Sequence, residues 1–126
     1  MKPEDLLDLA MKAREKAYVP YSAFSVGAAL LTRNGRVFTG SNVENASYGL
    51  TVCAERNAIF RAVNEGERAF DMIAVVGSGE GLTFPCGACL QVMSEFSEDL
   101  KVIVADQNLQ YKMFSLRDLL PQMFSL

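Results

Sequence analysis

The chain has 126 residues, half of them hydrophobic, with 12 Lys and Arg against 15 Asp and Glu and a net charge of −3. That length suits a single domain spanning 1–126 with enough chain for a real core, and the acidic balance argues against a nucleic-acid binder, which needs a basic patch to meet phosphates. No apolar run approaches a membrane span or the core of a signal peptide, so the expected compartment is the cytoplasm. Eight Phe and six Met are rich for a small soluble chain, and surplus apolar surface often ends in a subunit interface.

In chain order, Pro3 to about Tyr18 is predicted as a helix with Leu6, Leu7, Leu9, Ala10, Ala13 and Ala17 on one face. Pro20 disfavours helix in the residue before it. Ser25–Thr32 and Arg36–Gly40 are predicted strands joined at Asn34-Gly35, a strong hairpin signal. Ser41–Thr51 is a polar loop, and a helix from about Val52 to Asn64 stops at Gly66. Met72–Val76 is a continuous apolar run suited to a buried strand. After the loop Gly77–Phe84 comes a helix over Gly87–Phe96, then strands at Val102–Ala105 and Tyr111–Phe114 and a helical turn at Leu116–Leu120. This order predicts an α/β fold, a three-layer α/β/α arrangement around a mixed five-stranded sheet.

The chemistry is concentrated in Cys53-Ala54-Glu55 and Pro85-Cys86-Gly87-Ala88-Cys89, in a chain without histidine. Three cysteines cannot pair evenly, and without an export signal metal or redox chemistry is expected of them. A structural zinc site closes its tetrahedron with four Cys or His ligands; three thiols leave one position for water, the catalytic arrangement. Both clusters fall at predicted helix N-termini, whose dipoles offset the negative charge of grouped thiolates. Arg56 is placed to donate to the same sulfurs. Taken alone, Cys86-Gly87-Ala88-Cys89 also fits a thioredoxin-like redox pair opening a helix. That reading leaves Cys53-x-Glu55 without a purpose.

Cys-x-Glu before one helix and Pro-Cys-x-x-Cys before the next together resemble the zinc deaminase signature. With Tyr21-Ser22-Ala23-Phe24-Ser25-Val26-Gly27-Ala28-Ala29-Leu30, Asn42-Val43-Glu44-Asn45-Ala46-Ser47-Tyr48, and the tail Leu119-Leu120-Pro121 and Phe124, the chain resembles the short, homotetrameric cytidine deaminases nearly end to end. The resemblance implies Cys53, Cys86 and Cys89 as ligands of one Zn²⁺ per chain, with water or hydroxide as the fourth. It implies Glu55 as the catalytic proton shuttle and Arg56 in charge compensation. Asn42 and Glu44 resemble the ribose-binding pair, Phe24 the aromatic wall beside the pyrimidine, and Ala54 a further substrate-binding position. Ala46, Tyr48 and Phe124 resemble residues given to the pocket by neighbouring subunits. The implied reaction turns cytidine and deoxycytidine into uridine and deoxyuridine in pyrimidine salvage.

One departure is visible: many relatives carry arginine after the last zinc cysteine, where this chain has Leu90. Read without the resemblance, Asn42 and Glu44 are loop residues serving turns, and Phe24 and Phe124 are core or interface residues. Rival functions are a deaminase for modified cytosine nucleosides, an RNA- or DNA-editing deaminase, a deoxycytidylate deaminase, and a non-catalytic zinc or thiol module. Acidity disfavours the editing enzyme, and no phosphate-binding cluster supports deoxycytidylate as substrate.

Overall fold

The computed structural model describes residues 1–126. Its elements are α1 (Pro3–Arg14), β1 (Val26–Thr32), β2 (Val37–Ser41), a 3₁₀ turn (Tyr48–Leu50), α2 (Ala54–Asn64), β3 (Phe70–Gly77), α3 (Gly87–Phe96), β4 (Lys101–Ala105), β5 (Tyr111–Ser115) and α4 (Leu116–Leu119). The strands form one five-stranded sheet in the order β2-β1-β3-β4-β5. β1 is antiparallel to both β2 and β3, β3 is parallel to β4, and β5 is antiparallel to β4. The predicted mixed sheet is therefore the one observed.

Successive side chains of a strand point to opposite faces, and the central strands bury both. On one face Ala29, Ala74, Val76, Ile103 and Ala105 pack against Leu6, Leu7 and Ala10 of α1. On the other, Ala28, Leu30, Ile73, Val102 and Val104 meet Ala58, Ile59 and Ala62 of α2, and Leu90 and Met93 of α3. Because β2 and β3 are both antiparallel to β1, they run in the same direction. The helices that follow them, α2 and α3, consequently begin at the same end of the sheet. That topology brings Cys53 and Cys86 together.

Two glycines set how closely the helices lie. A Cβ on Gly27 would stand 2.0 Å from the Ala10 carbonyl oxygen of α1. On Gly40 it would stand 2.5 Å from both the Ala54 oxygen and the Ala58 nitrogen of α2. The strand backbone thus touches helix backbone on both faces.

Three boundaries differ from expectation by more than one residue. α1 ends at Arg14 rather than near Tyr18, because Tyr18 is drawn into β-type pairing: its N–H donates to the Asn42 carbonyl (2.9 Å) and its own carbonyl accepts from Glu44 N–H (2.9 Å). α2 starts at Ala54 because Val52 pairs with Val43. β3 extends back to Phe70 through a register irregularity opposite Leu31/Thr32, which leaves Asp71 without a strand partner. Asp71 broke the apolar run that marks the strand. The Asn34-Gly35 hairpin forms as a turn with Gly35 N–H bonded to the Thr32 carbonyl (3.0 Å) and Gly35 at φ 90°. Only Gly35 is left-handed, so this is a three-residue loop rather than a two-residue type I′ turn.

Gly40→Ala is expected to push α2 off the sheet and cost about 1–3 kcal/mol of stability, read as a lowered midpoint in thermal or urea denaturation. An unchanged midpoint would mean that α2 is not seated by this contact.

Candidate metal centre and substrate site

Cys53 and Cys86 are the N-cap residues of α2 and α3, both with extended backbone (φ −71°, ψ 156° and φ −74°, ψ 168°). Cys89 follows within the first turn of α3 and is buried. All three are free thiols whose sulfurs lie within 4.8 Å of one another. The Cys53 and Cys86 sulfurs are 3.7 Å apart. Two thiolates at about 2.3 Å from a tetrahedral zinc stand about 3.8 Å from each other. The donor set, its spacing and its place at two positive helix ends all fit Zn²⁺.

The electrostatics around the sulfurs are uneven. The neighbouring Cys89, first, and the hydrogen bond from Arg56 bring the Cys53 thiol down to about 5 against the opposing effect of burial. Cys89, facing the Cys53 thiolate and itself buried, is pushed far up. A divalent cation would take the sulfurs as anions. Arg56 Nη2 donates to Cys53 Sγ at 3.4 Å, and its Nε is buried without a hydrogen-bond partner.

Glu55 occupies the first turn of α2 and is 3% exposed. Burial raises its carboxyl to about 7; the Cys53 thiolate adds to the rise, while a backbone hydrogen bond, the Cys89 thiol and Arg56 oppose it. A carboxyl poised near neutrality beside a metal-binding thiol cluster is suited to take up and return protons. Leu90 lies 8% exposed within the apolar cluster of α2, α3 and the sheet. The position that departs from the resemblance thus serves packing, and Arg56 is the guanidinium bonded to a thiol.

The Asn42–Glu44 segment is held on both sides. Val43 bridges Tyr18 and Val52, so Asn42 and Glu44 lie beside the chain entering Cys53. Both make structural bonds. Asn42 Oδ1 accepts from Val26 N–H (2.8 Å) and Nδ2 donates to the Phe24 carbonyl (2.9 Å). Glu44 Oε1 accepts from the N–H groups of Tyr21 (3.0 Å) and Ser22 (3.2 Å), and Oε2 accepts from the Ser22 hydroxyl. Those bonds, the hydroxyl's first, hold the Glu44 carboxyl below its usual range.

Phe24 is partly exposed, and its ring covers Gly77 and Gly79, where an added Cβ would meet ring carbons at 2.8 Å and 3.0 Å. The chain reverses just before it, at Ala23, whose φ of 58° is left-handed; a non-glycine residue pays about 1–2 kcal/mol for that conformation. Tyr48 is 76% exposed and sits edge-to-face with Tyr21, ring centroids 6.3 Å apart. Tyr21, Ser22, Glu44, Tyr48 and Thr51 line a cleft of about 380 Å³. Ala46 is exposed, and Phe124 is 67% exposed, tethered through its carbonyl to Gln91 Nε2 (3.1 Å). Ala54 is wholly buried. A larger hollow of about 480 Å³ between α1, β2 and α2 contains none of these residues. Ser22 went unassigned from sequence; a serine two residues before an aromatic signals a local turn, not a bond to a glutamate 22 positions away.

A model of the cytidine and deoxycytidylate deaminase zinc-binding region matches residues 1–106. A cytidine deaminase of Halalkalibacterium halodurans is 48% identical over 126 residues, 99% of this chain and 96% of that protein. Another, from Sporosarcina psychrophila, is 54% identical over 96 residues, 76% of this chain and 71% of that one. The crystal structure of cytidine deaminase from Burkholderia pseudomallei, 51% identical, matches with a TM-score of 0.95 over 98% of this chain and 100% of that one. With the thiol cluster at zinc spacing and these similarities spanning nearly its whole length, the chain belongs to the cytidine and deoxycytidylate deaminase zinc-binding family.

Proposed function

We propose that this chain, holding one Zn²⁺ at Cys53, Cys86 and Cys89, catalyses the hydrolytic deamination of cytidine and deoxycytidine to uridine and deoxyuridine. The observation that carries the reading is the buried Glu55 carboxyl two residues from Cys53, one of three sulfurs within 4.8 Å of one another. Zinc, when bound, supplies a Lewis acid that brings the pKa of a water toward about 7.

Glu55 accepts a proton from the attacking water and delivers it to N3 of the cytosine ring, which makes C4 electrophilic. The water oxygen bonds to C4. Glu55 then carries the second proton to the exocyclic amine, the C4–N bond breaks, and ammonia leaves a C4 carbonyl behind. Atoms balance: cytidine and water give uridine and ammonia. A carboxyl whose pKa lies near the operating pH serves both transfers, since it is neither too weak a base to take the proton nor too weak an acid to return it. Arg56 offsets the negative charge of the sulfurs.

Phe24 supplies the wall beside the pyrimidine, and Asn42 and Glu44 hold the ribose hydroxyls. Buried polar groups left unpaired penalise a ligand without a sugar, which favours nucleoside over free base. Ala54, next to Glu55 at the start of α2 and buried in the single chain, is the further substrate-binding position. Ala46, Tyr48 and Phe124, exposed in the single chain, complete the pocket of a neighbouring subunit in a homotetramer. Exposed Leu50, Phe60 and Phe84 supply further apolar surface for that assembly. No helix is long and apolar enough to cross a membrane, and three free thiols suit the reducing cytoplasm and a role in pyrimidine salvage.

Purified without added metal, the protein is expected to carry one zinc per chain by elemental analysis and to convert cytidine to uridine in an ultraviolet assay. Cys53→Ala should retain under about a tenth of the metal, since one of three protein ligands is gone. A metal-free wild type that reduces disulfides would instead support a redox protein. Glu55→Gln should keep zinc and lose at least about a thousandfold in kcat, consistent with the loss of general acid-base catalysis; full turnover in that variant would sink the mechanism. Light scattering is expected to give a tetramer.

A further inference from the structure

Glu44 has few acceptor positions left for a ligand, and the Ser22 hydroxyl decides where they point. An ionised carboxylate offers about four lone-pair sites. Two N–H groups, from Tyr21 and Ser22, fill Oε1. The Ser22 hydroxyl takes one site on Oε2, which leaves a single acceptor position there. The hydroxyl itself is not free to turn away. It accepts from Phe24 N–H at 3.0 Å, so its own hydrogen goes to the carboxylate. The left-handed turn at Ala23, closed by Ala23 N–H on the Val19 carbonyl (3.0 Å), brings Phe24 N–H back onto Ser22. Asn42 closes the circuit through the Phe24 carbonyl, one residue from Val43 and two from Glu44.

We propose that Ser22 is a positioning residue for sugar recognition, orienting Glu44 so that its one open acceptor site meets a ribose hydroxyl. The proposal rests on the assignment of Glu44 to the ribose made above. Without the hydroxyl, Oε2 is released and the carboxylate pivots on the two amides that hold Oε1. Phe24 N–H loses its acceptor when the hydroxyl is removed, but the base wall keeps two other anchors: the Phe24 ring sits on Gly77 and Gly79, and its carbonyl stays bonded to Asn42 Nδ2. The loss on removing Ser22 Oγ therefore falls mainly on the sugar. The Glu44 carboxyl is held below its ordinary range first by this hydroxyl; like any ionised glutamate at neutral pH it is acceptor-only.

The test compares cytidine with 2′,3′-dideoxycytidine, which has the same base but lacks the 2′ and 3′ hydroxyls, in zinc-loaded wild type, Ser22→Ala, Ser22→Thr, Glu44→Gln and Ser22→Ala/Glu44→Gln. For Ser22→Ala, kcat/KM on cytidine should fall about tenfold, the scale of one hydrogen bond to a charged group. The loss should lie in KM, with kcat within about twofold, as expected for binding made equally in ground and transition states. On the dideoxynucleoside the change should stay under about threefold. Ser22→Thr, which keeps the hydroxyl, should recover most of the cytidine KM. The double variant should lose no more on cytidine than Glu44→Gln alone, since both changes break one circuit. Equal losses on the two substrates, a loss confined to kcat, or additive losses in the double variant would overturn the role. A wild type that deaminates neither nucleoside would overturn the deaminase reading itself, whereas wild-type turnover with indifference to Ser22 overturns this inference alone.

Discussion

The structure depends on a concentration of charge that a folded chain ordinarily avoids. Three ionisable sulfurs lie within 4.8 Å of one another with no imidazole to dilute them. What makes this tolerable is their address. β2 and β3 run in the same direction because each is antiparallel to β1, so the helices that follow them start at one end of the sheet and turn two sets of unpaired N–H groups toward the sulfurs. Even so, two helix ends carry only about one positive charge between them. Arg56 adds a full one through its bond to Cys53, and a divalent ion completes the balance. The metal is thus part of the electrostatics of the fold and not an ornament on it.

Within that cluster, neighbouring acidic groups are driven in opposite directions. Cys53, beside Cys89 and bonded by Arg56, falls to about 5, while Glu55, two residues on, rises to about 7 because burial removes its water and the nearest anion repels its charge. The guanidinium is committed to the sulfur. Leu90 extends the same division, since a leucine packed in the core brings no second cation that would draw the Glu55 carboxyl back down. That the Glu55 carboxyl stands near neutrality follows first from its burial.

Much of the scaffold was legible along the chain. The apolar run Met72–Val76 marked the central strand, Asn34-Gly35 marked the hairpin, and Gly87–Phe96 was recovered to the residue. The misses share a cause: long-range pairing overrode local pattern. Ala17 continues the apolar stripe of α1, yet Tyr18 is claimed by Asn42 and Glu44. Phe70 is a strand residue although Asp71 interrupts the alternation, because the register irregularity opposite Leu31/Thr32 turns Asp71 out of the ladder. In the site, Cys53, Glu55, Cys86 and Cys89 could be read from type and spacing. Asn42 and Glu44 read as turn residues on the one hand and sugar ligands on the other; the fold gives them tertiary bonds to the Tyr21–Val26 segment and leaves spare acceptors besides.

By itself the sequence determined the donor chemistry and its limits: three thiols, no histidine, and a glutamate two residues after the first thiol. A side chain's intrinsic chemistry does not depend on folding, and Cys-x-Glu and Cys-x-x-Cys each lie within one or two helical turns, where local geometry dictates placement. Tertiary structure decided everything that joins one turn to another. It set the 3.7 Å between Cys53 and Cys86, the burial that brings Glu55 to about 7, the contact of α2 on Gly40, and the grip of Ser22 on Glu44. These are distances and dielectric environments between segments far apart in the chain, created only when the sheet orders its strands and both of its faces are covered.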